Sequence, residues 1–269
     1  MRFNRSPAVK DLKARGDVDS LIEATTYEPD WQVRRDAVLA LRDIGDPRAA
    51  QALVSALSDA ESAVREQAAE ALGRIGSPAL EPLIAFLQDP GQQGHVFIFA
   101  ADAVGKIGDP RALDCLVGVL QDQHRGWPVR AAAASALGNI GDPGAVDPLV
   151  AALQDAEAFE FRQTVVGVLG QLADARAVKP LVVVLEKDNY GNVRKSAANA
   201  LGRIGDVGAV DPLSAALRSE DMGMRQIAAW ALGQIGDRRA IKPLEAALRD
   251  SDSDVRESAA SSLERIRSR

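Results

Sequence analysis

The sequence predicts an all-α protein, an α-solenoid of about eight helix pairs behind a short N-terminal capping helix. The first observation is a repeat. The phrase Val-Arg-x-x-Ala-Ala-x-Ala-Leu-Gly-x-Ile-Gly-Asp recurs, with its Ile position at Ile44, Ile75, Ile107, Ile140, Leu172, Ile204, Ile235 and Ile266, at spacings of 31 to 33 residues. The second is a phrase that follows each Gly-Asp, such as Pro143-Gly144-Ala145-Val146-Asp147-Pro148-Leu149-Val150-Ala151-Ala152-Leu153. The third is composition. Of 269 residues 46% are hydrophobic, 26% charged and only 4% aromatic, which suits close-packed small side chains and excludes disorder.

Residues 1–16 read as the cap: Ser6-Pro7 opens a short helix that closes near Arg15-Gly16. Residues 17–269 read as one solenoid, with units at about 17–45, 46–76, 77–108, 109–141, 142–173, 174–205, 206–236 and 237–269. The second phrase opens each unit as helix A. Asp142 is a natural N-cap, and Pro143 fits the first helical position, where a missing N–H costs nothing. Val146, Leu149, Val150 and Leu153 share a face at helical spacing. The inner Pro148, matched by Pro82, Pro180, Pro212 and Pro243, is expected to bend helix A. The Val-Arg phrase makes helix B. In the fourth unit its buried stripe is Val129, Ala133, Ala136, Leu137 and Ile140, and Gly141 ends it as a left-handed cap. The Gly of Ala-Leu-Gly recurs in the six inner units but is Arg42 in the first and Glu264 in the last, as if terminal units lacked the neighbour that demands it.

Both phrases, in order and at this period, closely resemble the HEAT-like repeats of the phycobilin-lyase type, from about Asp17 to Arg267. The resemblance implies the stacked helix pairs and places helix B on the concave face. It also implies a range of roles: bilin lyase subunits, di-iron hydroxylases, and binding scaffolds without chemistry. The hydroxylases ligate iron through His-Glu pairs. Here His95 precedes Val96 and His124 precedes Arg125, so that chemistry has no ligands and neither metal nor cofactor is expected.

If helix B lines a groove, the positions its buried stripe leaves free carry the function. Those singled out are Trp31, Glu66, Glu70, Ile98, Phe99, Asp102, Lys106, Trp127, Phe159, Arg203, Ile227 and Trp230. All three tryptophans fall among them, and Ile98, Phe99, Trp127 and Phe159 make the central units apolar. Phe99, Trp127 and Phe159 are expected to form one track of anchors, since aromatic residues dominate binding surfaces. Along the whole groove six basic positions face eight acidic ones, and the net charge is −6, so no phosphate-tracking stripe exists and no nucleic acid is expected.

The recurring Arg34, Arg65, Arg130, Arg162, Arg194, Arg225 and Arg256 are expected to bond turn carbonyls and Asp side chains of neighbouring units rather than a ligand. The third unit departs from the pattern. Phe97 replaces the Arg, Ser77 replaces the capping Asp, and the connection from Asp89 to His95 is irregular. Cys115, the sole cysteine, reads as a small buried hydrophobe. No signal-peptide or membrane-spanning stretch is evident, and a cytoplasmic monomer is expected. The sequence therefore favours a non-catalytic scaffold that holds a protein or peptide in its groove, with a bilin lyase or lyase-like accessory subunit acting on a tetrapyrrole-carrying protein as the alternative.

Overall fold

The computed structural model describes residues 8–89, 94–154 and 158–268, the side chain of His95 excepted. The chain is an all-α solenoid, with seventeen α-helices and no strand among the described residues. It divides into two compact units, Met1–Ile140 and Gly141–Arg269.

The first unit holds α1 (Val9–Arg15), α2 (Val18–Ala24), α3 (Trp31–Ile44), α4 (Ala50–Ala56), α5 (Ser62–Ile75), α6 (Leu80–Gln88), α7 (Gly94–Ile107), α8 (Leu113–Gln121) and α9 (Trp127–Ile140). The cap helix α1 packs on α2 and α3 and ends at Gly16 in the left-handed region, φ 65°. Ser6 and Pro7, where its start is expected, lie outside the described residues. Helices α3, α5, α7 and α9 lie side by side as one layer of B helices, and α4, α6 and α8 form a second layer with sparser mutual contact. The second unit repeats the plan. Its A helices are α10 (Val146–Gln154), α12 (Val178–Lys187), α14 (Val210–Ala216) and α16 (Ile241–Ala247). Its B layer is α11 (Phe159–Leu172), α13 (Gly191–Ile204), α15 (Met222–Ile235) and α17 (Ser253–Arg267).

The core is the predicted stripe. Val129, Ala133, Ala136 and Leu137 are buried, and Ile140 is half-buried at the helix end. The small residues matter because neighbouring B helices nearly touch backbone to backbone. A Cβ built on Gly202 of α13 would stand 2.8 Å from both Cα and Cβ of Ala231 on α15. The same positions in the end units need a different account from the one expected. Glu264 is exposed, but Arg42 faces the neighbouring α5 and donates from Nη1 to Gln67 Oε1 at 3.0 Å. Arg42 thus stands beside a neighbouring helix rather than where one is missing.

Helix A is shorter than expected at its start. Asp142 caps a 3₁₀ turn, Pro143–Ala145, by accepting from the Gly144 N–H, and α10 begins only at Val146. Pro148 is therefore the third residue of α10, in the first turn, where its missing N–H removes no α-helical bond. Pro82, Pro180, Pro212 and Pro243 hold the same place in their helices. The break in each A segment precedes the proline instead of following from it.

The arginine ladder is internal. Arg34 donates from Nε and Nη2 to Asp59 at 2.6 and 2.9 Å, and from Nη1 to the Tyr27 carbonyl at 3.1 Å. Arg162 grips Asp188 and Arg225 grips Asp250 in the same two-pronged way. Arg65, Arg194 and Arg256 donate to carbonyls of the turn preceding their own helix. The acceptor carboxylates belong to the A-to-B turns, whereas Asp46, Asp109, Asp142, Asp174, Asp206 and Asp237 serve as caps. Phe97 breaks the ladder, yet the next turn repairs it. The Arg125 guanidinium lies 3.7 Å from the Phe97 ring centroid, with Nε donating to Asp122 at 3.0 Å. The third unit's departure is thus a swap of guanidinium source; residues 90–93 of its irregular connection lie outside the described residues.

Candidate functional site

The free face of the B layer in the first unit opens into a cleft of about 630 Å³, within the usual size of ligand sites. Three consecutive B helices build it. Helix α5 contributes Glu66, Gln67, Ala69 and Glu70; α7 contributes Ile98, Phe99, Asp102 and Lys106; α9 contributes Ala132, Ser135, Ala136 and Asn139. Arg42 of α3 closes one end. Residues three and four apart share a helix face, so each helix presents a short column, and the columns lie side by side. Half-buried Ile98 and Phe99 with the three alanines form an apolar floor. One side of Phe99 is taken by the Arg65 guanidinium, 5.4 Å from the ring centroid.

The rim is polar and largely self-paired. Lys106 Nζ sits 2.7 Å from Glu70 Oε2 and 3.0 Å from Asp102 Oδ2. Partial burial alone would lower the Lys106 pKa, but hydrogen bonds to Glu70 and Asp102 outweigh it and hold the ammonium above its ordinary value. The same bond from Lys106 holds Glu70 below the usual carboxylate range. Arg42 is bound by Gln67 and by Asp43, which Lys13 and Arg74 also reach at 2.6 and 3.7 Å. Glu66 is exposed and has no hydrogen bond or ion pair among the described residues.

Six residues expected in a groove therefore meet in one cleft: Glu66, Glu70, Ile98, Phe99, Asp102 and Lys106. The other six do not line it. Trp127, 44% exposed, is the first residue of α9 and sits outside the lining. The cleft takes α9 only from Ala132 onward, about 7 Å further along the axis. Trp31 is half-buried beneath the Arg35 guanidinium, 5.3 Å from the centroid. In the second unit Phe159 stacks on Tyr190, centroids 4.7 Å apart and rings 18° from parallel. Trp230 lines a separate cleft of about 500 Å³ with Gln226, Asp254, Glu257 and Arg265. Ile227 is half-buried; Arg203 is exposed and unpaired among the described residues. Reading the sequence misses Arg42 as a groove residue. The signal was present, since it stands where the inner units have Gly.

Cys115 is half-buried rather than buried as expected, and that partial burial pushes its thiol pKa up, away from the reactive thiolate. Among the described residues no group of three or more His, Cys, Asp or Glu side chains is arranged to hold a metal ion. None of the helices described is long and apolar enough to cross a membrane.

A family model of HEAT repeats matches residues 18–94, 95–165, 123–197, 151–222 and 178–264. Deoxyhypusine hydroxylase of Gallus gallus is 35% identical over 79 residues, which is 29% of this chain and 26% of that protein, so the match spans about a quarter of the relative. Among solved structures, an engineered protein is 25% identical, with 98% of this chain and 81% of that chain covered and a TM-score of 0.54. Importin beta is 17% identical, with 96% and 42% covered and a TM-score of 0.66, a likeness of fold. The complex of CpcE and CpcF of phycocyanin lyase from Nostoc sp. PCC7120 is 24% identical, with 93% and 94% covered and a TM-score of 0.46.

Proposed function

The chain belongs to the HEAT-repeat family, and we propose that it is a non-catalytic scaffold that takes a protein or peptide segment in the cleft of α5, α7 and α9. One observation carries this reading. The cleft has an apolar floor, Ile98, Phe99 and Ala132, at helix positions that the repeat does not need for its own core. None of the three belongs to the fully buried stripe, although one side of the Phe99 ring carries Arg65 of the ladder. An apolar floor inside a charged rim is the usual layout of a recognition surface.

A photo-crosslinking residue at Ser135 tests it in a lysate of the source organism. Capture of a protein at Ser135, none from the same residue at the exposed Glu186 of α12, and loss of capture on Phe99→Ala with little change in melting support the reading. Equal capture at both positions, or capture that ignores Phe99→Ala, refutes it.

A further inference from the structure

We infer that the segment held in this cleft is cationic, and that it places a lysine or arginine head against Glu66 with its aliphatic stem on Ile98 and Phe99. The inference rests on the cleft being a peptide site and goes on to name the chemistry of its occupant.

The argument is one of charge left over. The lining carries three carboxylates, Glu66, Glu70 and Asp102, against two cations, Arg42 and Lys106. Both cations are already committed. Lys106 is shared between Glu70 and Asp102, and Arg42 is held by Gln67 and Asp43. An anionic partner would have to break these bonds before it gained any of its own. Glu66 is the opposite case: an exposed carboxylate with no bond or ion pair among the described residues, and no hydrogen of its own to donate. Glu70 lies one turn along the same face of α5, and the oxygens that Lys106 leaves free, Glu70 Oε1 and Asp102 Oδ1, add acceptors to the lining. The apolar floor lies next to these acceptors. Lysine and arginine are the side chains that offer an apolar stem and a charged head together. A free ammonium or guanidinium donor entering here meets acceptors without displacing any existing pair, and the cleft's net negative lining favours its approach.

The test uses the full chain and three labelled helical peptides that share one leucine stripe and differ only in flanking residues: arginine, glutamine or glutamate. Fluorescence anisotropy reads their affinities for the wild type, Glu66→Gln and Phe99→Ala, with melting curves confirming that each variant is folded. The expected order is arginine, then glutamine, then glutamate, with the arginine peptide ahead by ~5–10-fold at low salt and less at high salt. Glu66→Gln should bring the arginine peptide most of the way to the glutamine one and leave the glutamine peptide unchanged. Phe99→Ala should weaken all three. If Phe99→Ala weakens all three but the order is flat or reversed, or Glu66→Gln has no effect, the cationic occupant is refuted while the cleft reading stands. If no peptide binds, or Phe99→Ala changes nothing, the cleft reading itself falls and this inference with it.

Discussion

The pair of Arg34 and Asp59 offers the sharpest test of what joins one repeat to the next. Arg34 belongs to α3, and Asp59 to the turn before α5. Two charge-assisted bonds join them at 2.6 and 2.9 Å, and a third, Arg34 Nη1 to the Tyr27 carbonyl, ties the same guanidinium to the turn of its own repeat. Both side chains are well shielded, at 14% and 9% exposure. Burial raises the Asp59 pKa, but the bonds from Arg34 and the Glu61 N–H outweigh it and keep the carboxylate low. Arg34→Ala strips a shielded carboxylate of its counterion and leaves the Tyr27 carbonyl without that donor, so a loss of ~2–4 kcal/mol is expected. Arg34→Lys recovers only part, because one ammonium cannot reproduce the two-pronged grip. Asp59→Asn keeps the acceptor for the Glu61 N–H and loses the charge. Urea unfolding of the two single variants and the double variant gives the coupling, expected at ~1–3 kcal/mol. A repeat array can unfold in parts, so amide exchange in α2 to α5 should accompany the urea curves, with protection lost there first. If Arg34→Ala costs under ~0.5 kcal/mol and the coupling is near zero, the pair behaves as an ordinary surface bridge and the ladder is ornament.

Gly202→Ala should destabilise by ~1–3 kcal/mol in thermal unfolding, because the new methyl meets the Ala231 backbone at 2.8 Å, where no side chain can swing away. Ala173→Gly should do the reverse by about 1 kcal/mol, since Ala173 holds φ 53° at a helix end where six other repeats place glycine. Stability should fall as pH drops from about 4 toward 2: bonds from the arginine two residues on hold the capping carboxylates of Asp46, Asp109, Asp174 and Asp237 below their ordinary pKa, so what they contribute is present above the ordinary aspartate range and lost on protonation. Asp109 marks the lower end, held at about 2 by the Arg111 side chain and backbone N–H with help from Ser77, so Asp109→Asn should flatten the acid limb of a melting-temperature profile.

The repeat made the B helices legible, because burial and caps follow local spacing, whereas the A helices begin about one turn later than the proline-led phrase suggests. Helix B of the fourth unit ends where Gly141 predicts it, at φ 75°. What the sequence hid is what passes between repeats. The carboxylates that meet the arginines proved to be Asp59, Asp188 and Asp250 of the A-to-B turns, about 25 residues away and indistinguishable in the sequence from other turn aspartates. Arg125 looked like a turn residue until its guanidinium was found on Phe97. Tyr190 drew no notice, yet it is the stacking partner of Phe159. The positions outside the stripe were legible, since they are what remains after it is assigned. Which of them share a cleft was not, because Trp127 and Ala132 sit on one helix at different heights, and a repeat alignment records no height.

On the proposed function, this division lets the cleft be specific without weakening the fold. Val64, Ala68, Ala71 and Leu72 of α5 are buried and answer to their neighbours' shape, so each substitution there carries a packing cost. Glu66 and Glu70, on the same helix, face the cleft and hold nothing in the core. Substituting Glu66 changes only charge exposed to solvent, which costs within ~0.5 kcal/mol at most surface sites, and substituting Glu70 adds the loss of the rim bond from Lys106. Selection for a partner can therefore act on the groove columns repeat by repeat while the stripe, the caps and the ladder keep the stack. Phe99 is the position where the two demands meet: it lies on the floor of the cleft, yet its ring also takes the Arg65 guanidinium, whose Nη1 bonds two turn carbonyls at 2.6 and 2.8 Å. A ligand that shifts the Phe99 ring would act on Arg65 as well, and through it on the turn between α4 and α5.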